Sequence, residues 1–108
     1  MSGYLFTFLK KELQNNRLPI LEVSINDFNK EEFTMLSEML ECNTSVEEVF
    51  FKNCNCPNTD TENIEKIEKF FYHLKMNRSV KRLFIISCDL VPIMEPLCSV
   101  LKHNSTIE

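Results

Sequence analysis

One glycine and no tryptophan stand among the 108 residues, and 12 basic residues fall short of 16 acidic ones. With glycine so scarce there is no Gly-rich loop to cradle a phosphate, so P-loop and dinucleotide-binding fingerprints are missing altogether. A net charge of −4 works against phosphate neutralisation, and nucleic acid is not expected as a partner. No run approaches the roughly 20 apolar residues of a membrane span, because Lys, Glu or Asn interrupts each one. The apolar cluster Tyr4, Leu5, Phe6, Phe8 and Leu9 has no basic stretch before it and no small-residue cleavage site after it, so it does not read as a signal peptide. Five cysteines, an odd number at irregular spacing, suit reduced thiols better than a disulfide framework. The expectation is a cytoplasmic protein that does not engage membranes. Hydrophobic residues at 44% and charged residues at 26% are those of a folded chain, and the length allows one domain, residues 1–108.

What is present is a repeat. Val46-x-x-Val49-x-Phe51-x-x-Cys54 is followed by Val80-x-x-Leu83-x-Ile85-x-x-Cys88-x-Leu90, and a third copy starts at Ile20 with Val23 and Ile25 at matching offsets and Phe28 in the Cys place. The segments before them agree as well: Leu36-x-x-x-Leu40-x-x-Asn43-x-Ser45, Phe70-x-x-x-Leu74-x-x-Asn77-x-Ser79 and Leu97-x-x-x-Leu101-x-x-Asn104-x-Thr106. Leu9-x-x-x-Leu13-x-x-Asn16 supplies a fourth ending of the same kind. Successive asparagines are 27, 34 and 27 residues apart, and the extra seven fall in the polar, turn-rich stretch around Pro57 and Asn58.

Short segments of alternating apolar residues therefore take turns with segments at helical spacing, and strand–helix alternation implies parallel strands joined by crossovers. Strands are predicted near 21–25, 47–51 and 81–85, with helices near 4–15, 30–41, 61–76 and 91–102. In the third helix, Ile64, Ile67, Phe70, Phe71 and Leu74 share one face, which leaves Glu65, Lys66, Glu68 and Lys69 for the solvent side. Asn29-x-x-Glu32 and Thr59-x-x-Glu62 both have the spacing of capping boxes. Each unit alone leaves its apolar side wet, so neighbours must stack.

The matched residues resemble a leucine-rich repeat protein, and the repeat length with a helical second half is similar to the ribonuclease-inhibitor-like subclass, including the repeat region of tropomodulin-type actin-capping proteins. The resemblance implies an α/β fold, a short leucine-rich-repeat solenoid with parallel strands on the concave face and helices on the convex face. Residues 1–17 would form a capping helix, and 18–45, 46–79 and 80–106 the repeats.

Few residues offer chemistry. Cys54-x-Cys56 with Cys88 and His73 lacks the paired C-x₂₋₄-C clusters of zinc sites, and Cys54 and Cys88 share a repeat position that turns inward to bond backbone at a strand end. No metal and no cofactor is expected. His73 and His103 fall at equivalent helix ends, where a partly charged imidazole complements the helix dipole, rather than beside a nucleophile. The sequons at Asn43, Asn77 and Asn104 recur at one repeat position, which favours helix-ending asparagines in the left-handed conformation over glycosylation. An enzyme is not expected.

The outward strand residues carry more information. Aligning the three copies gives the columns Glu22, Glu48, Arg82; Ser24, Phe50, Phe84; and Asn26, Lys52, Ile86. Strands about 4.8 Å apart make Phe50 and Phe84 neighbours, and exposed aromatics clustered on one surface are binding anchors. The expected function is a non-catalytic protein-interaction module that binds a protein partner through Glu48, Phe50, Lys52, Arg82, Phe84 and Ile86. Two other readings stay open. One branch of the resembled family stimulates GTP hydrolysis by small GTPases, for which Arg17, Arg78 or Arg82 would be the arginine supplied. Alternatively Ile107 opens a further strand position, and the strand edge beside it invites a second copy of the chain, a homo-oligomer.

Overall fold

The computed structural model describes residues 2–52, 61–86, 88, 91–103 and 107. Among these residues four helices alternate with three strands: α1 (Ser2–Gln14), β1 (Ile20–Ser24), α2 (Lys30–Cys42), β2 (Glu48–Lys52), α3 (Thr61–Met76), β3 (Arg82–Ile86) and α4 (Val91–His103). The strands form one parallel sheet in the order β1-β2-β3. The chain is therefore α/β, with each strand returned to the next by a helix. The helices pack in sequence order, α1 on α2, α2 on α3 and α3 on α4. No helix among the described residues is long and apolar enough to cross a membrane.

The core lies between the sheet and the helices. Leu21, Val23, Val49 and Phe51 point into it from the strands, and Phe33, Leu36, Leu40, Ile67, Phe70 and Phe71 meet them from α2 and α3. Five phenylalanines form its centre: the Phe51 ring lies 6.4 Å from Phe33, 5.2 Å from Phe70 and 5.1 Å from Phe71, while Phe28 packs edge-on against Phe33 at 6.1 Å. Strand alternation with period two and helical spacing of three and four put these side chains on facing surfaces.

The turns between helix and strand are held by the repeated asparagines. Asn43 Oδ1 accepts from the backbone N–H groups of Ser45 (2.8 Å) and Val46 (2.7 Å), and its Nδ2 donates to Leu13 O at the end of the preceding helix (3.0 Å). Asn77 repeats the pattern one unit later, accepting from Ser79 and Val80 N–H (2.8 Å each) and donating to Leu40 O (2.7 Å) and Asn43 O (3.1 Å). The serines follow suit: Ser45 Oγ donates to Leu18 O and Ser79 Oγ to Val46 O, both at 2.8 Å. Each unit is thus bonded to the one before it through its turn, and β2 and β3 start level with each other.

This corrects the expected asparagine conformation. Asn43 is extended (φ −72°, ψ 143°), and the only described non-glycine residue with positive φ is Asn16 (φ 52°). There the 3.2 Å bond from Asn16 N–H to Leu13 O and the 3.0 Å bond from Arg17 N–H to Glu12 O close a Schellman motif on α1. Asn43 and Asn77 leave the left-handed region because their side chains are committed to the backbone of two different units. The sequon at Asn104 lies outside the described residues, as do Cys54, Cys56, Leu90 and Thr59.

A second correction follows from that turn. β1 pairs Leu21 with Val49 and Val23 with Phe51, two residues away from the alignment read from the sequence. Leu18 occupies the place of Val46, one residue closer to its asparagine, because the Schellman turn at Asn16 replaces the longer side-chain-bonded turn. A slip of two keeps the same face inward, so hydrophobic alternation tolerates either register.

Lys66 is the third. Expected on the solvent side of α3, it is buried, and its Nζ donates to Ile25 O (3.2 Å) and Phe28 O (2.9 Å). In the observed register the place of Cys88 falls to Asn26, exposed in the turn, and the buried Phe28 ring cannot bond the carbonyls at the strand end. Lys66 reaches across from α3 to do so, since buried carbonyls without partners cost free energy.

α2 begins at a complete capping box: Glu32 N–H donates to Asn29 Oδ1 (2.8 Å) and Asn29 N–H to Glu32 Oε1 (3.0 Å). Asn29→Ala is expected to lower stability by about 1 kcal/mol, measured as a shifted urea midpoint at unchanged slope. Beside it, Lys30 on α2 pairs with Glu65 on α3, and the hydrogen bond and attraction from Glu65 raise the Lys30 pKa above 10.5. A raised lysine stabilises the fold throughout the neutral range and loses that contribution only as pH climbs past its folded-state value.

Candidate functional site

The sheet face opposite the helices carries the residues between the buried ones. Its observed columns are Ile20, Glu48, Arg82; Glu22, Phe50, Phe84; and Ser24, Lys52, Ile86. All six residues expected to form the site share this face, and the columns of β2 and β3 match those expected. On β1 the two-residue difference in register brings Ile20 onto the face at its edge and moves Glu22 beside Phe50. Sequence reasoning missed Ile20, although the alternation Ile20, Glu22, Ser24 between buried Leu21 and Val23 marks it.

Phe50 and Phe84 are Cα partners on neighbouring strands, and their rings stack with centroids 4.5 Å apart and planes 11° from parallel. Parallel strands hold equivalent side chains at the strand spacing, which is close to the separation of stacked rings. Phe84 remains 37% exposed and Ile86 41% exposed, so the pair ends in an accessible apolar surface toward β3.

Two ion pairs flank the rings. Arg82 Nη1 donates to Glu48 Oε2 at 3.0 Å along the first column, and Lys52 Nζ approaches Glu22 Oε2 at 3.8 Å diagonally between β1 and β2. Both pairs keep substantial exposure, so solvent screens them and each contributes little to stability. They order the side chains around the aromatic stack and leave the face with as many positive as negative groups. At the strand ends beneath, Cys88 Sγ lies 3.3 Å from Phe51 O and 3.2 Å from Ile86 O, the backbone-bonding role expected of that position.

The remaining singled-out residues lie elsewhere. His73, near the end of α3, places Nδ1 2.7 Å from Glu41 Oε1 and so joins α3 to α2 on the far side of the molecule. Of the arginines, Arg17 pairs with Glu12 at 2.8 Å and Arg82 is held by Glu48, while Arg78 is exposed in the turn before β3. The geometry offers a surface with an apolar centre and paired charges beside it. No protein-family model matches the sequence, and no curated protein matches it.

Proposed function

We propose that the chain is a short leucine-rich-repeat solenoid of the ribonuclease-inhibitor-like kind, acting in the cytoplasm as a non-catalytic module that binds a protein partner on its open, concave strand face. The repeat reading is supported by two sequence signatures recurring in one order, by parallel strands that follow the chain, and by the matching bond sets of Asn43 and Asn77. Free thiols at Cys42 and Cys98 fit a reducing compartment.

The observation that carries the binding assignment is the stacked Phe50–Phe84 pair on a sheet face that no described helix covers. Aromatic rings held rigid by their neighbours lose little entropy when a partner covers them, which is why such residues dominate binding energy at interfaces. Glu48, Lys52, Arg82 and Ile86 frame the anchor and select for a partner with an apolar insert and charges of both signs.

The test compares the wild-type chain with Phe50→Ser/Phe84→Ser in affinity capture followed by mass spectrometry. Both substitutions sit on the open face, so far-UV circular dichroism is expected to stay unchanged. A partner retained by the wild type and weakened at least tenfold by the double variant fits the assignment. Identical partner lists for the two proteins reject it.

A further inference from the structure

The apolar side chains of the open sheet face lie on a diagonal. In the register of the three strands, Ile20 stands at the start of β1, Phe50 at the middle of β2 with Phe84 stacked beside it, and Ile86 at the end of β3. Ile20 is 44% exposed and Ile86, at the opposite corner, 41%. The crossing diagonal ends instead in polar residues, Ser24 and Arg82. With strands about 4.8 Å apart and a rise of about 3.3 Å per residue, the band from Ile20 to Ile86 is about 16 Å long.

Charge is ordered along this band. Glu22 and Glu48 both adjoin Ile20, one on its own strand and one on the next, whereas Lys52 adjoins Ile86. Arg82 stands off to one side, on Glu48. Glu22 keeps 58% of its side chain exposed, with Lys52 Nζ no nearer than 3.8 Å, so the Ile20 end of the band is acidic and the Ile86 end basic. The ladders on both sides of β2 engage its backbone groups within the sheet, and what the face presents is side chains. A segment resting on them must satisfy its own N–H and C=O groups, which an α-helix does and an extended segment does not. Apolar residues at i, i+4, i+7 and i+11 of a helix span about 16 Å, the length of the band.

We propose, on the strength of the binding role assigned to this face, that its occupant is an amphipathic α-helix of a partner protein, laid along the diagonal. Basic residues flank its apolar stripe at the Ile20 end and acidic residues at the Ile86 end, and the Phe50–Phe84 stack meets the middle of the stripe.

The probe is a displayed library of helical peptides of about 18 residues, the stripe fixed as leucine and its flanking positions varied among Lys, Glu and Gln, panned against the full chain. Enriched peptides are expected to carry Lys beside one end of the stripe and Glu beside the other, and to bind with a dissociation constant of order 10 µM. Ile20→Ser and Ile86→Ser should each weaken an enriched peptide roughly tenfold, a loss that an anchor confined to the two phenylalanines would not show. A nitroxide on the Lys-flanked end should broaden the amide resonance of Ile20 rather than that of Ile86, and Glu22→Lys/Lys52→Glu should turn the peptide round. Circular dichroism checks that each variant is folded. Failure to enrich any peptide, enrichment without charge order, binding that survives a proline in mid-helix, or indifference to both isoleucine substitutions overturns the helical occupant. If affinity capture still finds a partner lost by Phe50→Ser/Phe84→Ser, the binding face stands and the helix alone is rejected; identical partner lists reject the face itself.

Discussion

Asn77→Ala is expected to destabilise the fold by about 3–5 kcal/mol, a large fraction of the roughly 5–15 kcal/mol that holds a small domain folded. The Asn77 side chain is fully buried and serves both directions at once, accepting from Ser79 and Val80 N–H and donating to Leu40 and Asn43 carbonyls. Alanine takes the acceptor from Ser79 and Val80 N–H, at about 1–3 kcal/mol each, and strips one partner from the Leu40 and Asn43 carbonyls, which keep Asn43 N–H and Ser79 Oγ. Asn77→Asp separates the two halves of the role. It keeps the acceptor for the turn but sets a carboxylate oxygen against the Leu40 and Asn43 carbonyls, so it should cost at least as much as alanine. Ser79→Ala, which removes single hydroxyl bonds to Val46 O and its neighbours, should cost about 1 kcal/mol. Urea unfolding at constant slope measures all three. If Asn77→Ala stays within 1 kcal/mol of the wild type, the turn is held by something other than its asparagine. Because the same bonds level β2 with β3, the variant should also loosen the Phe50–Phe84 stack and with it the binding face.

Element order was legible because two independent patterns, apolar alternation and the asparagine endings, divide the chain at the same places. Strands expected at 47–51 and 81–85 begin one residue later, at Glu48 and Arg82, although Lys81 N–H already donates to Glu47 O of the neighbouring unit (2.8 Å). The neighbouring positions of Phe50 and Phe84 could be read because both occupy one offset in copies with identical turns. β1 was misaligned for the converse reason. Leu21, Val23 and Ile25 are all buried and alternate perfectly, so hydrophobicity permits two registers, and the decision rests on the left-handed Asn16 that shortens the turn.

Lys66 marks a different limit. Helical periodicity assigns it to solvent, and only the tertiary arrangement shows the Ile25 and Phe28 carbonyls that it bonds. The aligned copies put Phe28 in the Cys88 place, but the observed register puts the exposed Asn26 there, so the repeat pattern gave no sign of the lysine. The described residues leave no buried side-chain nitrogen or oxygen without a hydrogen bond, which is the condition that recruits such a lysine.

Phe51→Ala should be the most damaging truncation in the core, at about 3–5 kcal/mol. Phe51 is fully buried on the middle strand, and its ring touches Phe33 from α2 and both Phe70 and Phe71 from α3. Removing it opens a void that two helices and the sheet border together, and the tilted and edge-on ring contacts, worth about 0.5–1.5 kcal/mol each beyond area, vanish with it. Ile85→Ala at the matching position on β3 is the internal control. Its side chain is half-buried, so truncation exposes little new surface and should cost about 1–2 kcal/mol. The gap between the two measures how far the middle unit binds its neighbours into one cooperative structure, because a stack of units loses most when the unit with two neighbours is hollowed. Thermal and urea unfolding of both variants should show Phe51→Ala at least twice as costly. Equal costs would mean that each strand position contributes through its own unit alone, and the stacked arrangement would then not be what stabilises the chain.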